Sequence, residues 1–212
     1  MTKRGRPKRT EGQVEDTRNC VLHATRRVFG LYGAQGTTVG KIIHEANISR
    51  PTFYRYFDNA GAALSLVVEA ANLKLVQAVV ENVEGLDGLL PLFQAITDTY
   101  LDWGREEIDI IHSIHQDLLT PGSVVAVHRA KTIDRLYQLV ESKAGKHSKT
   151  LPDKVVLETI MMAGENLGYH ALLHPDEANI ESYRSGIVKL AIALMGDQND
   201  WVLAARNHML FK

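Results

Sequence analysis

The sequence predicts an all-α protein of about nine helices, with a small N-terminal helical unit followed by a larger C-terminal one. Apolar residues recur three and four positions apart along most of the 212-residue chain, which is the spacing of a helix with one buried face. The strict alternation of apolar and polar residues that indicates β-strands is almost absent, and no internal repeat is visible. A chain of this length can bury a substantial hydrophobic core.

Composition restricts the class of protein further. No apolar run reaches the ~18 residues of a membrane span, and the N-terminus lacks the apolar segment of a secretory signal. Cys20 is the only cysteine, so an internal disulfide is excluded and a reducing cytoplasm is expected. Because Cys20 lies in a helical pattern without a partner motif, we expect it to be a buried core residue. The sequence therefore favours a cytoplasmic protein without membrane contact.

Residues 37–57 have the pattern of two short helices joined by a four-residue corner. Thr37 or Thr38 can cap the first helix, and Ser49 can cap the second, in which Pro51 suits a first-turn position. Asn47 tolerates the left-handed backbone conformation that a tight corner requires. The apolar face of the first helix comprises Val39, Ile42, Ile43 and Ala46. This pattern predicts a helix-turn-helix whose second helix can enter a DNA major groove.

The second of these helices is expected to span residues 50–57 and to present a polar face to DNA. Phe53 and Phe57 lie four positions apart and should face inward. The residues left on the outer face are Arg50, Pro51, Thr52, Tyr54 and Arg55. Arg50 is the best candidate for contacting a base edge, because a guanidinium group matches the paired acceptors of guanine. The side chains expected to hold phosphates, and so to set the register on the duplex, are Thr38, Lys41, Thr52 and Tyr54.

Charge distinguishes a DNA-binding unit from an ordinary helical hairpin with the same pattern. Residues 1–60 contain 11 Lys+Arg and 5 Asp+Glu, a balance of +6, whereas residues 61–212 contain 13 and 20, a balance of −7. Residues 1–13 are expected to form a disordered basic arm. Arg6, between Gly5 and Pro7, resembles the core of an AT-hook and could enter a narrow minor groove. Non-specific attraction to phosphates remains the alternative for this arm.

These motifs resemble the N-terminal signature of the tetracycline-repressor (TetR) family of bacterial transcription regulators. The signature is present as Thr37-Thr38-Val39, Ile42-Ile43, Ala46-Asn47-Ile48-Ser49 and Tyr54-Arg55-Tyr56-Phe57. The sequence departs from it where Asn47 replaces a turn glycine, Ile43 replaces an alanine, and Ala60 stands where a lysine is common. The resemblance covers about the first quarter of the chain. It implies a DNA-binding domain over residues 14–59, a ligand-binding and dimerisation domain over residues 60–212, and phosphate contacts from Thr38 and Tyr54.

Helices over about 14–32 and 60–83 should connect the two units. The first has an apolar face that ends at Tyr32, and Gly33 is a plausible stop. Arg26 and Arg27 point away from that face, so we expect both to be solvated. The second helix joins the basic unit to the acidic remainder, and any movement transmitted to the basic unit should therefore pass through it.

The middle helices combine apolar faces with aromatic, histidine and amide side chains that could line a cavity for a small ligand. The candidate lining residues on these and the following helix are Tyr100, Trp103, His112, His115, Gln116, Glu165, Asn166 and Tyr169. His112 and His115 could share a helix face, but the sequence supplies no further ligand at a spacing typical of zinc. We expect no metal and no cofactor.

Two long helices, over about 152–173 and 176–195, are expected to form a homodimer interface. Each of the glycines Gly164 and Gly168 costs ~1 kcal/mol relative to alanine inside a helix, and close approach of another helix would account for that cost. The second helix carries apolar residues on more than one side, so one side should pack on a partner. The predicted interface comprises Gly164, Gly168, Tyr183, Ile187, Leu190, Ala191 and Leu194. The resemblance implies dimerisation through these two helices, while a crowded monomer core is the alternative.

The function expected from these features is sequence-specific DNA binding by a homodimer, as a repressor that a small-molecule ligand releases from its operator. The alternative is a ligand-independent architectural DNA-binding protein. An enzyme is disfavoured, since no phosphate-binding loop or nucleophile motif is present and the only candidate acid–base cluster is His112, His115 and Glu165.

Overall fold

The computed structural model describes residues 11–146 and 153–206, and this part of the chain forms ten α-helices without a β-strand. The helices are α1 (Glu11–Gly36), α2 (Val39–Glu45), α3 (Arg50–Tyr54), α4 (Ala60–Asn82), α5 (Leu89–Glu106), α6 (Ile108–Asp117), α7 (Val124–Lys146), α8 (Lys154–Leu173), α9 (Glu177–Met195) and α10 (Gln198–Arg206). The predicted all-α fold class is confirmed. The helix count exceeds nine because the tail adds α10.

Local interactions place α2 and α3 as the sequence predicts. The Thr38 hydroxyl caps α2 by accepting from the Lys41 N–H at 3.4 Å, and the Ser49 hydroxyl caps α3 by accepting from the Thr52 N–H at 3.3 Å. Asn47 occupies the left-handed region with φ of 50°, as the corner requires. The second helix is shorter than predicted: α3 ends at Tyr54, whereas the sequence predicts a helix to Phe57.

The three N-terminal helices enclose a small hydrophobic cluster, which we call the head core. Phe53 is fully buried and Phe57 is 5% exposed, so both aromatic rings face inward as the spacing predicts. The buried members of the head core are Val21, Ala24, Val28, Ile42, Phe53, Phe57 and Ala63. α1 supplies three of these side chains and therefore supports the helix-turn-helix from behind.

The remaining helices share a larger cluster, the body core, to which α4 contributes throughout its length. The Trp103 indole N–H donates to the Ala71 carbonyl at 2.8 Å and joins α5 to α4. By length and composition α4 is the single helix in the described part of the chain that could cross a membrane, with a mean hydropathy of 1.6. Seven of its apolar residues are buried and α4 packs on α1, α5 and α7, whereas Leu73 and Val80 are exposed. Packing in the core thus accounts for the apolar residues on the inner side of α4.

α1 also packs along α6, which the sequence did not indicate. The Ser113 hydroxyl donates to the Phe29 carbonyl at 2.8 Å, and the Ala34 N–H donates to the Asp117 carboxylate at 3.1 Å. Gly30 lies against the backbone of Asp109, because a Cβ at Gly30 would be 2.3 Å from the Asp109 carbonyl oxygen. The N-terminal unit therefore contacts the body through α1 as well as through α4, and α4 is not the sole connection.

Three expectations for α1 are wrong. Cys20 is exposed, with its Sγ 3.8 Å from the Ala46 carbonyl, because the neighbouring Val21 occupies the inward position. Tyr32 is 54% exposed, and the Lys41 ammonium lies 4.3 Å from the centre of its ring, where a cation–π contact stabilises it at the surface. Arg26 is not simply solvated, since it bonds to two carboxylates near the start of α6.

Candidate functional site

The outer face of α3 is a polar surface with no body helix over it. Arg50, Pro51, Tyr54 and Arg55 are exposed, and the neighbouring Phe53 is fully buried beneath them. The Tyr54 ring stands edge-on to the Phe53 ring, with centroids 5.5 Å apart and an interplanar angle of 87°, which fixes its direction. Four of the five residues that the sequence assigns to DNA on this helix therefore face solvent.

Thr38 and Thr52 have different freedom to bind a phosphate. Thr38 is exposed, and its capping bond uses the oxygen as an acceptor, which leaves the hydroxyl hydrogen available for donation. Thr52 is half-buried, and its hydroxyl lies 2.8 Å from the Ser49 hydroxyl. Thr38 is thus better placed than Thr52 to donate to a phosphate at the start of α2.

Three cations, Lys41, Arg50 and Arg55, define the charge of this surface. None of them forms an ion pair with a carboxylate among the residues that the structure describes, whereas Arg27 pairs with Glu45 at 3.0 Å. The Lys41 ammonium donates to the Gly36 carbonyl at 2.8 Å, which holds it beside α2. An unpaired cationic surface attracts the DNA backbone without first having to break internal ion pairs.

The remaining predicted DNA contact, Arg6, lies outside the described residues. Five of the eleven Lys and Arg residues of the N-terminal 60 fall in the same segment, at Lys3, Arg4, Arg6, Lys8 and Arg9. Residues 11–60 alone hold six Lys+Arg against five Asp+Glu. The basic balance of the N-terminal third therefore depends mainly on the arm.

Glu107 connects three helices where α5 meets α6. It is 4% exposed, and its carboxylate accepts from Arg26 of α1 at 2.5 Å and from Lys74 of α4 at 3.4 Å. Arg26 also donates to Asp109 from its Nε at 2.8 Å, and Lys74 also pairs with Glu106 at 2.5 Å. The helices α1 and α4 support the reading surface, by which we mean the outer face of α2 and α3, and both are tied to one buried carboxylate of the body.

Replacing Glu107 with glutamine is expected to destabilise the folded state by about 1 kcal/mol, because the cations lose their shared carboxylate but keep Asp109 and Glu106 and are partly solvated. Urea denaturation checks the free energy of unfolding. Asp102→Asn is the matched control, since Asp102 forms only an exposed pair with Arg105 on α5 and should change nothing. Equal stabilities for both variants would contradict a structural role for the Glu107 pairs.

The body core contains a cavity of about 110 Å³ between α4, α5, α6, α7, α8 and α9. Most of its wall is aliphatic or aromatic, and its lining residues include Leu75, Val79, Phe93, Ile96, Ile114, Leu136, Leu157, Ile160 and Met161. A cavity of this kind, apolar with a few polar groups at fixed points, is typical of a small-molecule site. Its polar groups lie on five of the surrounding helices and include Asn72, Thr97, Tyr100, Arg129, Thr132, Glu165 and Tyr183.

Arg129 of α7 and Glu165 of α8 form an ion pair in the cavity wall. The Arg129 Nε lies 3.1 Å and 2.8 Å from the two carboxylate oxygens, and both side chains are less than a fifth exposed. Burial raises the pKa of the Glu165 carboxyl, while the hydrogen bond and charge of Arg129 oppose that rise. The Arg129 Nη2 is 2.7 Å from the carboxylate but is not aligned for a hydrogen bond, and it is buried without another partner.

Three of the eight residues predicted for a ligand pocket line this cavity, namely Tyr100, Trp103 and Glu165. Tyr100 donates to the Glu165 carbonyl at 3.4 Å, and burial raises the pKa of its phenol well above the usual value. The five predicted residues that do not line it are His112, His115, Gln116, Asn166 and Tyr169. Their helices α6 and α8 turn these side chains toward another surface, so this part of the prediction is wrong for this cavity.

The histidines of α6 form a separate aromatic cluster with Tyr169. The His115 ring stacks on the Tyr169 ring at 4.0 Å, the His112 Nδ1 is hydrogen-bonded to the Tyr169 hydroxyl, and Gln116 lies 2.7 Å from the His112 Nε2. Burial and the neighbouring histidines lower the pKa of His115. Glu165 pairs with Arg129 instead, so the acid–base cluster suggested by the sequence is divided between two places.

No group of three or more His, Cys, Asp or Glu side chains in residues 11–146 and 153–206 has the geometry of a metal site.

The residues predicted for the dimer interface belong mainly to the interior of the chain. Tyr183, Ile187 and Ala191 are at most 5% exposed and face the body core from α9. A Cβ at Gly168 would lie 2.5 Å from Tyr100, so this glycine accommodates packing within the chain, whereas a Cβ at Gly164 would meet only the Tyr183 hydroxyl at 4.0 Å. The assignments of Gly168, Tyr183, Ile187 and Ala191 are corrected because these residues are buried within the chain's own core. Leu190 is half-buried, and Leu194 is 44% exposed.

Sequence reasoning missed Glu107 and Arg129, although both carry a recognisable signal. Glu107 falls on the stripe Trp103, Glu107, Ile110 and Ile114, and Arg129 falls on the stripe Val125, Arg129, Thr132 and Leu136. A charged residue at an apolar position of a helix stripe must be paired or hydrogen-bonded in the folded state. The pattern could have marked both as buried ion-pair residues but could not have named their partners.

Known proteins resemble this chain in the sequence of the helix-turn-helix and in the fold of most of the chain. The sequence model described as "Bacterial regulatory proteins, tetR family" matches residues 21–59, which hold most of α1 and the helix-turn-helix. No curated protein matches the chain.

Several solved structures share the fold along most of the chain. One from Syntrophomonas wolfei, assigned to the TetR family, is 18% identical with a TM-score of 0.68 and covers 84% of this chain and 96% of its own. A TetR-family transcriptional regulator from Streptomyces coelicolor is 17% identical with a TM-score of 0.65, covering 91% and 88%. The fatty acid degradation regulator FadR from Bacillus halodurans is 12% identical with a TM-score of 0.67, covering 91% and 98%.

The helix-turn-helix matches the family in sequence, its recognition face is free and cationic, and the described helices match family members in fold. Residues 21–59 therefore match the TetR family of bacterial regulatory proteins, and the described part of the chain shares the fold of solved TetR-family regulators.

Proposed function

We propose that this protein is a homodimeric cytoplasmic repressor that binds a near-palindromic operator and leaves it when a small molecule enters the body cavity. The observation that carries the proposal is the combination of a free cationic face on α3 with an apolar cavity in the same chain. Members of the family bind DNA operators, act as dimers and respond to small-molecule effectors.

The outer face of the helix-turn-helix supports base recognition by Arg50. The side chain is exposed and unpaired among the described residues, and it lies at the N-terminal end of α3, the part of a recognition helix that contacts base edges. Thr38, Lys41 and Tyr54 surround it with groups that can donate to phosphates. Pro51 and Arg55 complete the surface, and Arg6 would add a contact from the arm.

A dimer is supported by the outer face of α8. Its exposed residues include Val155, Met162, Asn166, His170 and Leu173, which recur at helical spacing, and Leu194 adds an exposed apolar side chain on α9. The interface we propose therefore uses the same two helices as the sequence prediction but largely different side chains. A two-fold arrangement would place two α3 helices one helical turn apart on DNA, a separation of ~34–36 Å.

The ligand acts by differential affinity for two arrangements of the dimer. The cavity borders α4, and α4 and α1 both connect to Glu107, so a change in the cavity wall can shift the position of the helix-turn-helix. Coupling free energies between such sites are typically ~1–3 kcal/mol. The Bacillus halodurans protein is described as a regulator of fatty acid degradation. A small apolar effector would fit the mostly apolar cavity wall of the present chain.

The test is selection of bound fragments from genomic DNA at physiological salt, by the wild type and by Arg50→Ala and Tyr54→Phe. The wild type should enrich a short palindrome. Arg50→Ala is expected to relax selection at one position of each half-site by about 1–2 kcal/mol, because a bidentate contact to guanine is lost. Tyr54→Phe removes only a hydroxyl and should weaken binding evenly across sequences.

Arg27→Ala serves as the control for the loss of an exposed cation from the same domain, since Arg27 is already paired with Glu45. Binding without any motif that is abolished by deleting residues 1–13 would replace the repressor with a non-specific architectural protein. A motif that Arg50→Ala leaves unchanged would remove Arg50 from base recognition.

A further inference from the structure

The charge of the body cavity restricts the chemistry of its ligand. Of the residues that line it, only Arg129 and Glu165 are charged, so the wall has no net formal charge while this pair is intact. Both partners are held in place, because the Arg129 Nε contacts both Glu165 oxygens and the two side chains are 15% and 17% exposed. A buried charge is tolerated where it is paired in this way.

The pair leaves one donor unused. The Arg129 Nη2 is buried and makes no hydrogen bond, although it lies beside the carboxylate. A buried donor without a partner is costly, and a ligand that supplies an acceptor recovers that cost. By contrast, the hydroxyls of Thr97 and Thr132 already donate to the backbone carbonyls of Phe93 and His128, so they offer no competing donor.

Two further polar groups in the wall are neutral. They are the Tyr183 hydroxyl and the Asn72 amide. Burial raises the pKa of the Tyr183 phenol, which keeps it protonated at neutral pH. The polar part of the wall therefore consists of neutral groups and one internally compensated ion pair.

On the basis of the effector-binding function proposed above, we propose that the cavity binds an uncharged apolar molecule with one hydrogen-bond acceptor directed at Arg129, and rejects the carboxylate analogue of that molecule. A ligand carboxylate would bring a second anion to a guanidinium that Glu165 already neutralises, and like charges at one buried site are strongly disfavoured. A carbonyl, ether or hydroxyl oxygen accepts the free hydrogen bond without adding charge.

The cavity volume limits the ligand to a small size unless the wall moves. At about 110 Å³ it is somewhat smaller than the ~150 Å³ engineered cavity that accommodates benzene. A ligand of roughly ten non-hydrogen atoms would therefore have to displace lining side chains, which is a means of coupling binding to the surrounding helices.

The test compares two isosteric probes, benzamide and benzoate, by calorimetric titration of the full-length protein at pH 7.5. The wild type is expected to bind benzamide about tenfold more tightly than benzoate, since only benzoate brings a charge into the compensated site. Glu165→Gln leaves Arg129 without its anion and should reverse the preference. Glu158→Gln is the control, because Glu158 lies on α8 outside the cavity lining, and it should behave as the wild type.

A second variant covers the case in which Glu165→Gln does not fold. The double substitution Arg129→Met with Glu165→Met removes both charges and the free donor, and it should bind toluene as well as the wild type does but lose its affinity for benzamide. Preference of the wild type for benzoate, or unchanged preference in Glu165→Gln, would overturn the charge assignment alone. Failure of benzamide, benzoate and toluene to bind any folded variant would overturn the effector cavity itself.

Discussion

Replacing Phe53 with alanine is expected to destabilise the folded state by about 3–5 kcal/mol and to abolish operator binding. Phe53 is fully buried and packs against Phe57 with ring centroids 5.8 Å apart, in a head core of only seven buried side chains. A cluster this small has few neighbours that could move into the space left by a phenyl ring. Since α3 contains only five residues, it has little helical stability without this anchor.

The matched control is Tyr54→Ala on the next residue of the same helix. Tyr54 is 47% exposed, so its loss should cost only about 1 kcal/mol of stability, from the edge-on contact with Phe53, while weakening DNA binding. Urea denaturation and operator titration on both variants separate the two effects. If Phe53→Ala retains wild-type stability, the head core does not depend on this ring as the packing indicates.

Replacing Gly30 with alanine is expected to lower stability by about 2–3 kcal/mol, although alanine is the better helix former. The added Cβ would lie 2.3 Å from the Asp109 carbonyl oxygen, and a backbone atom at the start of α6 cannot rotate away as a side chain can. α1 must therefore move off α6, which loosens the Ser113 and Arg26 contacts nearby. Hydrogen exchange should show faster opening of α1 than of α8 and α9.

Gly12→Ala provides the comparison on the same helix, because a Cβ at Gly12 meets no atom within 4 Å. That substitution should be neutral or slightly stabilising. Equal exchange rates in the two variants would contradict the tight contact between α1 and α6. A Gly30→Ala protein with a loosened α1 is also expected to respond less to an effector, since this contact is one of two connections between cavity and reading surface.

Local sequence signals predict the caps and the corner of the helix-turn-helix correctly, and the reason is physical. The caps at Thr38 and Ser49 and the left-handed Asn47 depend on residues within four positions of each other. Such interactions are encoded in a short segment and need no distant partner. The fold class follows in the same way from periodic apolar residues along each helix.

Features that depend on contacts between helices distant in the sequence, such as the interface and the cavity, are predicted less well. The pattern of α9 shows two apolar stripes but does not show that both pack within one chain, so it wrongly predicts Tyr183, Ile187 and Ala191 at an interface with a partner. The cavity requires six helices, α4 to α9, to meet, and of its eight predicted residues only Tyr100, Trp103 and Glu165 line it.

The sequence by itself determined the all-α class, the helix-turn-helix and the outward direction of Arg50 and Tyr54, because each rests on contacts close in the chain. Only the tertiary structure decided that Arg129 faces Glu165, 36 positions away, and that Arg26 reaches Glu107, 81 positions away. A charged residue in an apolar stripe shows that a partner is required. Which partner it meets depends on how the helices pack, and no local pattern contains that information.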